Sequence, residues 1–321
     1  MIRLIEHIGN FVNRFLMFFV FAVAVAALLA PEVFLPATRL RLMGFPLINI
    51  LLMVIMLGTG MSIDALEFFR MLRRPRMLLG GMAVKYFFMA TGAWIAARLF
   101  SLNNELAFGM VLLGCMPTGT ASMVLINIAE GNAALSVALL SLTTLLAPVL
   151  TPSLTYLLGG GWVEIDFLDM FKNIVIIVIV PVVIGMLIRR RAETLYTLIK
   201  PTIRLISLIA ILIIVGVCVA PNKASIMALD SVKVIAALTV NFVIAAAGAI
   251  LSTKFLRLDH REASALVIAS LSLNTSLSAG IAATFHDVYP MAALPSLINV
   301  PLNILLTTAT IKLFLRPGSE R

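Results

Sequence analysis

Ten stretches of the chain each run for about twenty residues with almost no polar interruption, and short polar segments separate them. They cover roughly 12–30, 45–61, 78–98, 106–127, 133–158, 170–188, 201–219, 232–253, 263–283 and 291–311, each close to the length that crosses a bilayer as an α-helix. The first run is too long for a cleaved leader. No small-residue cleavage site follows it, and the chain continues Pro31-Glu32-Val33, so it reads as a retained span. The pattern predicts an all-α polytopic membrane protein in which residues 1–321 form one transmembrane domain.

Composition narrows the function classes. Apolar side chains make up 61% and charged ones 12%, against about 45–50% and 25% in soluble domains. Mean hydropathy is +1.10. Soluble enzymes, nucleic-acid binders and disordered regulators are excluded. Ten spans leave no room for a soluble module, and no obligate protein partner is implied; the lipid bilayer is the surrounding medium. Cys115 and Cys218 both lie in apolar runs, so neither a disulfide framework nor a metal site is expected.

The net charge of +9 is distributed unevenly. Arg3, Arg14, Arg70, Arg73, Arg74, Arg76, Arg189, Arg190, Arg191, Lys200, Lys254, Arg257, Arg261, Lys312, Arg316 and Arg321 fall on one side of the predicted bundle. The opposite connections hold Arg39, Arg41, Arg98, Lys172, Lys223 and Lys233. By the positive-inside rule both termini are cytoplasmic, and the expected location is the inner (plasma) membrane.

Ten spans divide into two halves of five, residues 1–160 and 161–321, and an odd number of crossings puts the halves in opposite orientations. The fourth run is interrupted by Cys115-Met116-Pro117-Thr118-Gly119-Thr120-Ala121-Ser122, and the ninth carries the polar string Ser270-Leu271-Ser272-Leu273-Asn274-Thr275-Ser276-Leu277-Ser278. Pro117 and Gly119 loosen the helix, and freed backbone groups at membrane depth must be buried in protein or line a polar cavity. A broken helix also turns a half-helix N-terminus toward the membrane centre, where it suits an anion. A plain proline kink packed by small residues is the alternative for either segment alone.

At these residues the chain resembles the bile acid:sodium symporter family. The resemblance lies in Cys115 to Ser122, in Glu130-Gly131-Asn132-Ala133-Ala134-Leu135-Ser136-Val137, and in Thr143-Thr144-Leu145-Leu146-Ala147-Pro148-Val149-Leu150-Thr151-Pro152. Gly58-Thr59-Gly60-Met61-Ser62 is similar to the family's second span. The resemblance implies ten transmembrane helices in two inverted five-helix repeats. It also implies a panel of spans 1, 2, 6 and 7, and a core of spans 3, 4, 5, 8, 9 and 10 in which broken spans 4 and 9 cross. Members carry bile acids or smaller organic anions such as pantoate-like acids, commonly with two sodium ions.

The departures concern sodium. The family's first sodium site is matched by Ser122 and Ser136, but its Asn, Thr and Glu positions hold Met123, Leu140 and Ala269. The second site shares that Glu and adds two Gln residues, which are Leu273 and, on an ungapped alignment, Lys85. A hard cation needs oxygen ligands. Both sites read as dismantled, and no other metal or cofactor is expected.

Lys85 lies nine residues beyond Arg76, about 13 Å along a helix and near mid-membrane. A charge there costs roughly 2.5–3.5 kcal/mol on insertion scales, and no span offers an acid at that depth. A lysine stem reaches only part of the way to water. The expectation is an ammonium standing where relatives hold sodium; a lysine facing a wet crevice is the alternative.

Substrate-binding positions survive in Thr120 and Asn274, where the resemblance places small organic acids, with Ala121, Ser122, Thr275 and Ser276 offering backbone N–H groups. Asn299 is a weaker candidate, for which a helix-to-helix hydrogen bond is an equal reading; Asn49 faces the crevice from the panel if it faces it at all. The expected activity is secondary active transport of a small organic anion of pantoate or ketopantoate type, by alternating access and without sodium. A sodium-coupled bile acid or organic anion symporter is the alternative. An intramembrane enzyme and a channel are remote: His7, His260 and His286 fall at span ends or in loops, no His-Glu-x-x-His motif occurs, and only a Ser–Lys pair using Lys85 would remain.

Overall fold

The computed structural model describes residues 9, 11, 15–42, 44–63, 75–164, 166–223, 230–285 and 288–315. Arg3, His7, Arg14, Arg70, Arg73, Arg74, His286, Arg316 and Arg321, which enter the charge and histidine arguments, lie outside these residues. The described chain is an all-α polytopic membrane protein. Among the described residues, six helices are long and apolar enough to cross a bilayer: Met77–Leu99, Ala133–Gly159, Phe167–Arg191, Tyr196–Asn222, Asp230–Phe255 and Pro290–Phe314. A seventh candidate is the pair Phe18–Leu29 and Pro31–Arg39, bent by 94°. Fewer unbroken spans than apolar runs result because the runs at 106–127 and 263–283 are each split into two short helices, and Leu47–Ser62 is only 16 residues long.

In chain order the helices are α1 Leu16–Leu29, α2 Pro31–Arg39, α3 Leu47–Ser62, α4 Pro75–Leu99, α5 Asn104–Gly114, α6 Ser122–Ile128 and α7 Ala133–Gly159. They continue as α8 Phe167–Ile174, α9 Val180–Arg191, α10 Glu193–Val219, α11 Asp230–Phe255, α12 His260–Leu271, α13 Thr275–Thr284 and α14 Leu294–Phe314. Asparagine and aspartate side chains start several of them. Asn103, Asn132, Asp166, Asp259 and Asn274 each accept a hydrogen bond from the backbone N–H three residues on, as N-caps do. Between α8 and α9 the chain runs as a π-helix over Val175–Ile179, just before Pro181, and Val180 N donates to Val175 O five residues back.

Two sets of helices pack closely. α3 lies against α9 and α10, and α10 also meets α1; α4 lies against α11, α5, α7 and α12. The α3–α9 seam is backbone against backbone. A Cβ at Gly60 would stand 2.2 Å from Val182 O, and one at Gly185 would stand 2.4 Å from Leu57 O. On the α4 side, Gly81 makes room for Leu139 of α7 and Leu266 of α12, which belong to one buried cluster with Leu78, Leu135, Ala265 and Ala269. That packing sets the register of α4 on α12. One turn beyond Gly81 on α4 is Lys85, and one turn beyond Leu266 on α12 is Ser270.

Candidate functional site

The two breaks in α5–α6 and α12–α13 pair with each other. Thr118 and Leu273 form an antiparallel bridge, in which Gly119 N donates to Ser272 O at 3.0 Å and Asn274 N donates to Pro117 O at 3.0 Å. Backbone polar groups that a continuous helix would satisfy internally are thus satisfied across the crossing. Glycine is required at 119, where a Cβ would lie 2.5 Å from Leu273 O. Pro117 contributes through its free carbonyl as well as through its missing N–H.

Side chains from three other helices secure the crossing. Thr143 of α7 accepts from Thr118 N at 3.2 Å and donates to Leu139 O at 2.8 Å. Thr151, also on α7, donates to Cys115 O at 2.8 Å. The last carbonyls of α12 each receive a donor: Ile268 O from Ser272 N, Ala269 O from the Thr118 hydroxyl at 3.0 Å, and Leu271 O from the Asn303 amide of α14 at 2.8 Å. Ser270 O receives Lys85 Nζ at 3.5 Å, the long end of the hydrogen-bond range. Lys85 is 2% exposed. Its ammonium therefore stands at the C-terminal end of a half-helix inside the membrane, the pole at which a cation is favoured. Thr143 and Thr151 stand in the sequence only as members of the Thr143–Pro152 stretch, with no role of their own, and Asn303 carries no distinguishing pattern.

Geometry corrects part of the predicted anion cradle. Ser122 N donates to Gly119 O at 3.1 Å and Thr275 N donates to Leu273 O at 3.0 Å, so two of the four expected N–H groups are engaged in turns at the breaks. Among the described residues no backbone carbonyl accepts from Ala121 or Ser276. Asn274 is half-buried and its Oδ1 caps α13 by accepting from Leu277 N at 3.1 Å, which leaves its amide N–H groups for other partners. Thr120 and Ala121 are exposed at the break. α6 has only seven residues, so side chains matter more there than a helix dipole. Asn299 is buried on α14 with its Nδ2 unpartnered, and Asn303 one turn on is the asparagine that reaches the break. Asn49 is buried on α3, and its Oδ1 is also unpartnered.

The degraded sodium-site positions contain little for a hard cation. The Ser136 hydroxyl donates to Met123 Sδ at 3.8 Å, and the Ser122 hydroxyl donates to Gly119 O at 2.8 Å. The Leu140 carbonyl takes the Thr144 hydroxyl at 2.7 Å. Ala269 presents a methyl group, Leu273 an apolar chain, and the Ala269 carbonyl is taken by Thr118. Of these six positions only Ser122 and Ser136 carry a side-chain oxygen. Among the described residues no group of three or more His, Cys, Asp or Glu side chains converges, and both cysteines are buried free thiols. An apolar notch of about 310 Å³ lies elsewhere, lined by Phe11, Phe15, Phe18 and Phe19, and offers an anion no polar group.

Residues 49–229 match the model of the Sodium Bile acid symporter family. The uncharacterized sodium-dependent transporter YocS of Bacillus subtilis is 31% identical over 251 residues, which are 78% of this chain and 77% of that protein. A probable sodium/metabolite cotransporter of rice chloroplasts, BASS1, is 31% identical over 172 residues, 54% of this chain and 42% of the relative. Its Arabidopsis counterpart is 27% identical over 248 residues, 77% of this chain and 61% of the relative, so the chain matches less than two thirds of either plant protein. The family and these relatives are transporters, which removes an enzyme from consideration. On the family match and on the Bacillus relative, the chain belongs to the sodium bile acid symporter family and is a membrane transporter.

Proposed function

We propose that the chain crosses the plasma membrane ten times as two inverted repeats, 1–160 and 161–321, with both termini cytoplasmic. It carries a small organic anion of pantoate or ketopantoate type by alternating access, without sodium. The repeat is supported by element order. A long helix, a broken pair and a long helix follow one another as α4, α5–α6 and α7, then again as α11, α12–α13 and α14. The loops that follow each break dock reciprocally: Asn132 N donates to Arg261 O at the start of α12, and Met291 N donates to Glu105 Oε2 at the start of α5. In this reading α1, α3, α8–α9 and α10 are the panel, and α4 to α7 with α11 to α14 are the core.

The substrate carboxylate lies at the crossing, against Thr120, the Asn274 amide, and the Ala121 and Ser276 N–H groups. Ser122 and Thr275 shape the turns that present them. Lys85 supplies the positive charge that relatives named as sodium-dependent take from the ion. The observation that carries this reading is the Lys85 ammonium at the α12 carbonyl end, and the resemblance adds that Met123, Leu140, Ala269 and Leu273 stand where the family has oxygen donors.

Uptake of labelled pantoate into vesicles reconstituted with the purified protein tests it. Replacing sodium with choline leaves uptake unchanged, and Lys85→Ala removes most of it while Lys85→Arg retains a measurable part. Saturable stimulation of the wild type by sodium would favour the sodium-coupled symporter instead. Fully active Lys85→Ala overturns the role of the lysine.

A further inference from the structure

Lys85 is under-satisfied where it lies. Its ammonium carries three N–H groups and meets one acceptor among the described residues, Ser270 O at 3.5 Å. The Ser270 hydroxyl is buried without a partner, and the hydroxyl of Tyr86, next to Lys85 on α4, donates to Thr143 O. Carboxylates are remote. On the four helices packed against α4 they are Glu105, Asp230 and Glu262, in the first turns of α5, α11 and α12, and α7 has none. Glu262 is eight residues from Ser270, about 12 Å along the helix. Lys85 is nonetheless 2% exposed, while Thr120 and Ala121 at the same crossing are open. The chain thus carries a buried cation with no counter-charge of its own, at a crossing whose other face is accessible.

A dissociable cation and a tethered one differ in the return step of a carrier. A cation bound from solution leaves with the cargo, and the empty site reorients without it. Lys85 cannot leave. To reorient, the site passes through a state shut from both compartments, where a charge without a counter-charge is penalised. On insertion scales a lysine at mid-membrane is disfavoured by about a hundredfold. A carboxylate at the crossing cancels that charge. We propose that the protein is an obligate exchanger, which carries one organic monocarboxylate inward against another outward because the anion-loaded site, neutral overall, reorients and the empty site does not. This rests on the reading that places the carboxylate at the crossing with Lys85 as its cation.

Vesicles reconstituted with the purified full chain and preloaded with labelled pantoate test it. Efflux into medium holding unlabelled pantoate exceeds efflux into pantoate-free medium by about tenfold or more, as the penalty on the unpaired charge requires. A potassium diffusion potential leaves the exchange rate unchanged, since the loaded site is neutral. Lys85→Arg keeps the ratio of the two effluxes. Lys85→Gln has no charge to compensate, so the smaller flux that remains shows a ratio near one. Equal wild-type efflux into both media overturns the exchange and leaves the anion reading standing, and exchange that follows the potential overturns the neutral loaded site. An undiminished ratio in Lys85→Gln overturns the lysine as the cause. No efflux into either medium, together with no thermal stabilisation by pantoate, removes the anion reading itself and the exchange with it. The wild-type ratio and its response to potential decide the matter even where the glutamine variant does not fold.

Discussion

The α3–α9 seam and the crossing of the two breaks are both close approaches of backbone that only glycine permits, yet they are built for different ends. At the seam, Gly60 and Gly185 let two unbroken helices touch backbone to backbone. Contact there is van der Waals packing, with Arg189 tying the end of α3 to α9. At the crossing, Gly119 brings together two segments whose helical hydrogen bonds are interrupted, and the freed groups are met partly by each other and partly by side chains of α4, α7 and α14. Shape holds the first region and polar satisfaction holds the second. A region held by polar satisfaction can also present unsatisfied groups to a solute, and the seam cannot.

The largest effects come from filling either approach. Gly185→Ala sets a Cβ against the Leu57 carbonyl, and Gly119→Ala sets one against the Leu273 carbonyl; backbone cannot yield as a side chain does. Each substitution should cost about 3 kcal/mol of stability, the upper end for overpacking. The comparison predicts a split in what survives. Folded Gly185→Ala protein retains ligand binding measured by calorimetry, whereas folded Gly119→Ala protein loses it. Retained binding in Gly119→Ala would remove the distinction between the two regions.

Asn274 allows the crossing's two duties to be separated. Its Oδ1 caps α13, which leaves its amide N–H groups for another partner. Asn274→Asp keeps an acceptor for the cap, removes the amide donors and adds a negative charge. Thermal stability should change little while affinity for a carboxylate falls by about 1.5–3 kcal/mol, the range for a hydrogen bond to a charged group. Asn274→Leu should lose both, with about 1 kcal/mol of capping added to the loss of affinity. Wild-type affinity in both variants would mean that the amide does not touch the ligand.

How much of this was legible from residues alone follows the same division. Pro117, Gly119 and the polar string around Asn274 announce the breaks, because helix-breaking and hydrogen-bonding residues are conspicuous in apolar runs. Lys85 was equally conspicuous, as a charge without an acid at its depth. Its partner was not, since a backbone carbonyl such as Ser270 O has no sequence signature. The roles of Thr143, quoted only as part of a motif, and of Asn303 were hidden for the same reason: threonine and asparagine are ordinary in membrane helices until the orphaned group they satisfy is located in space. The π-helix at Val175–Ile179 and the seam at Gly60 and Gly185 depend on which helix faces which, and apolar periodicity leaves that open. The turn hydrogen bonds of Ser122 and Thr275 depend on how tightly each break closes, which composition does not specify.

A smaller effect is expected at Thr143, which touches no ligand in this arrangement. Thr143→Val leaves Thr118 N without its acceptor in a buried position and should lower stability by about 1–2 kcal/mol. Thr143→Ser restores the hydroxyl and should recover most of the loss in a thermal unfolding comparison. If the valine and serine variants unfold alike, packing of the threonine methyl, and not the hydroxyl, secures the break.

Thr120 gives the smallest and most discriminating effect, because it sits at the crossing without securing it. Its side chain is exposed, and its hydroxyl makes none of the hydrogen bonds that close the break. Removing an exposed hydroxyl strands no buried partner in the unliganded protein, so Thr120→Val should leave thermal stability within the scatter of surface substitutions, about 0.5 kcal/mol. With a carboxylate bound, the same hydroxyl becomes one net hydrogen bond, and its loss should weaken binding by about 0.5–1.5 kcal/mol, up to roughly tenfold. Isothermal titration with pantoate on wild type and variant reads the second quantity, and differential scanning reads the first. A stability loss without an affinity loss would make Thr120 another tie of the break, as Thr118 is through its bond to Ala269 O. An affinity loss alone, with stability held, is the outcome that assigns the open face of the crossing to the transported anion.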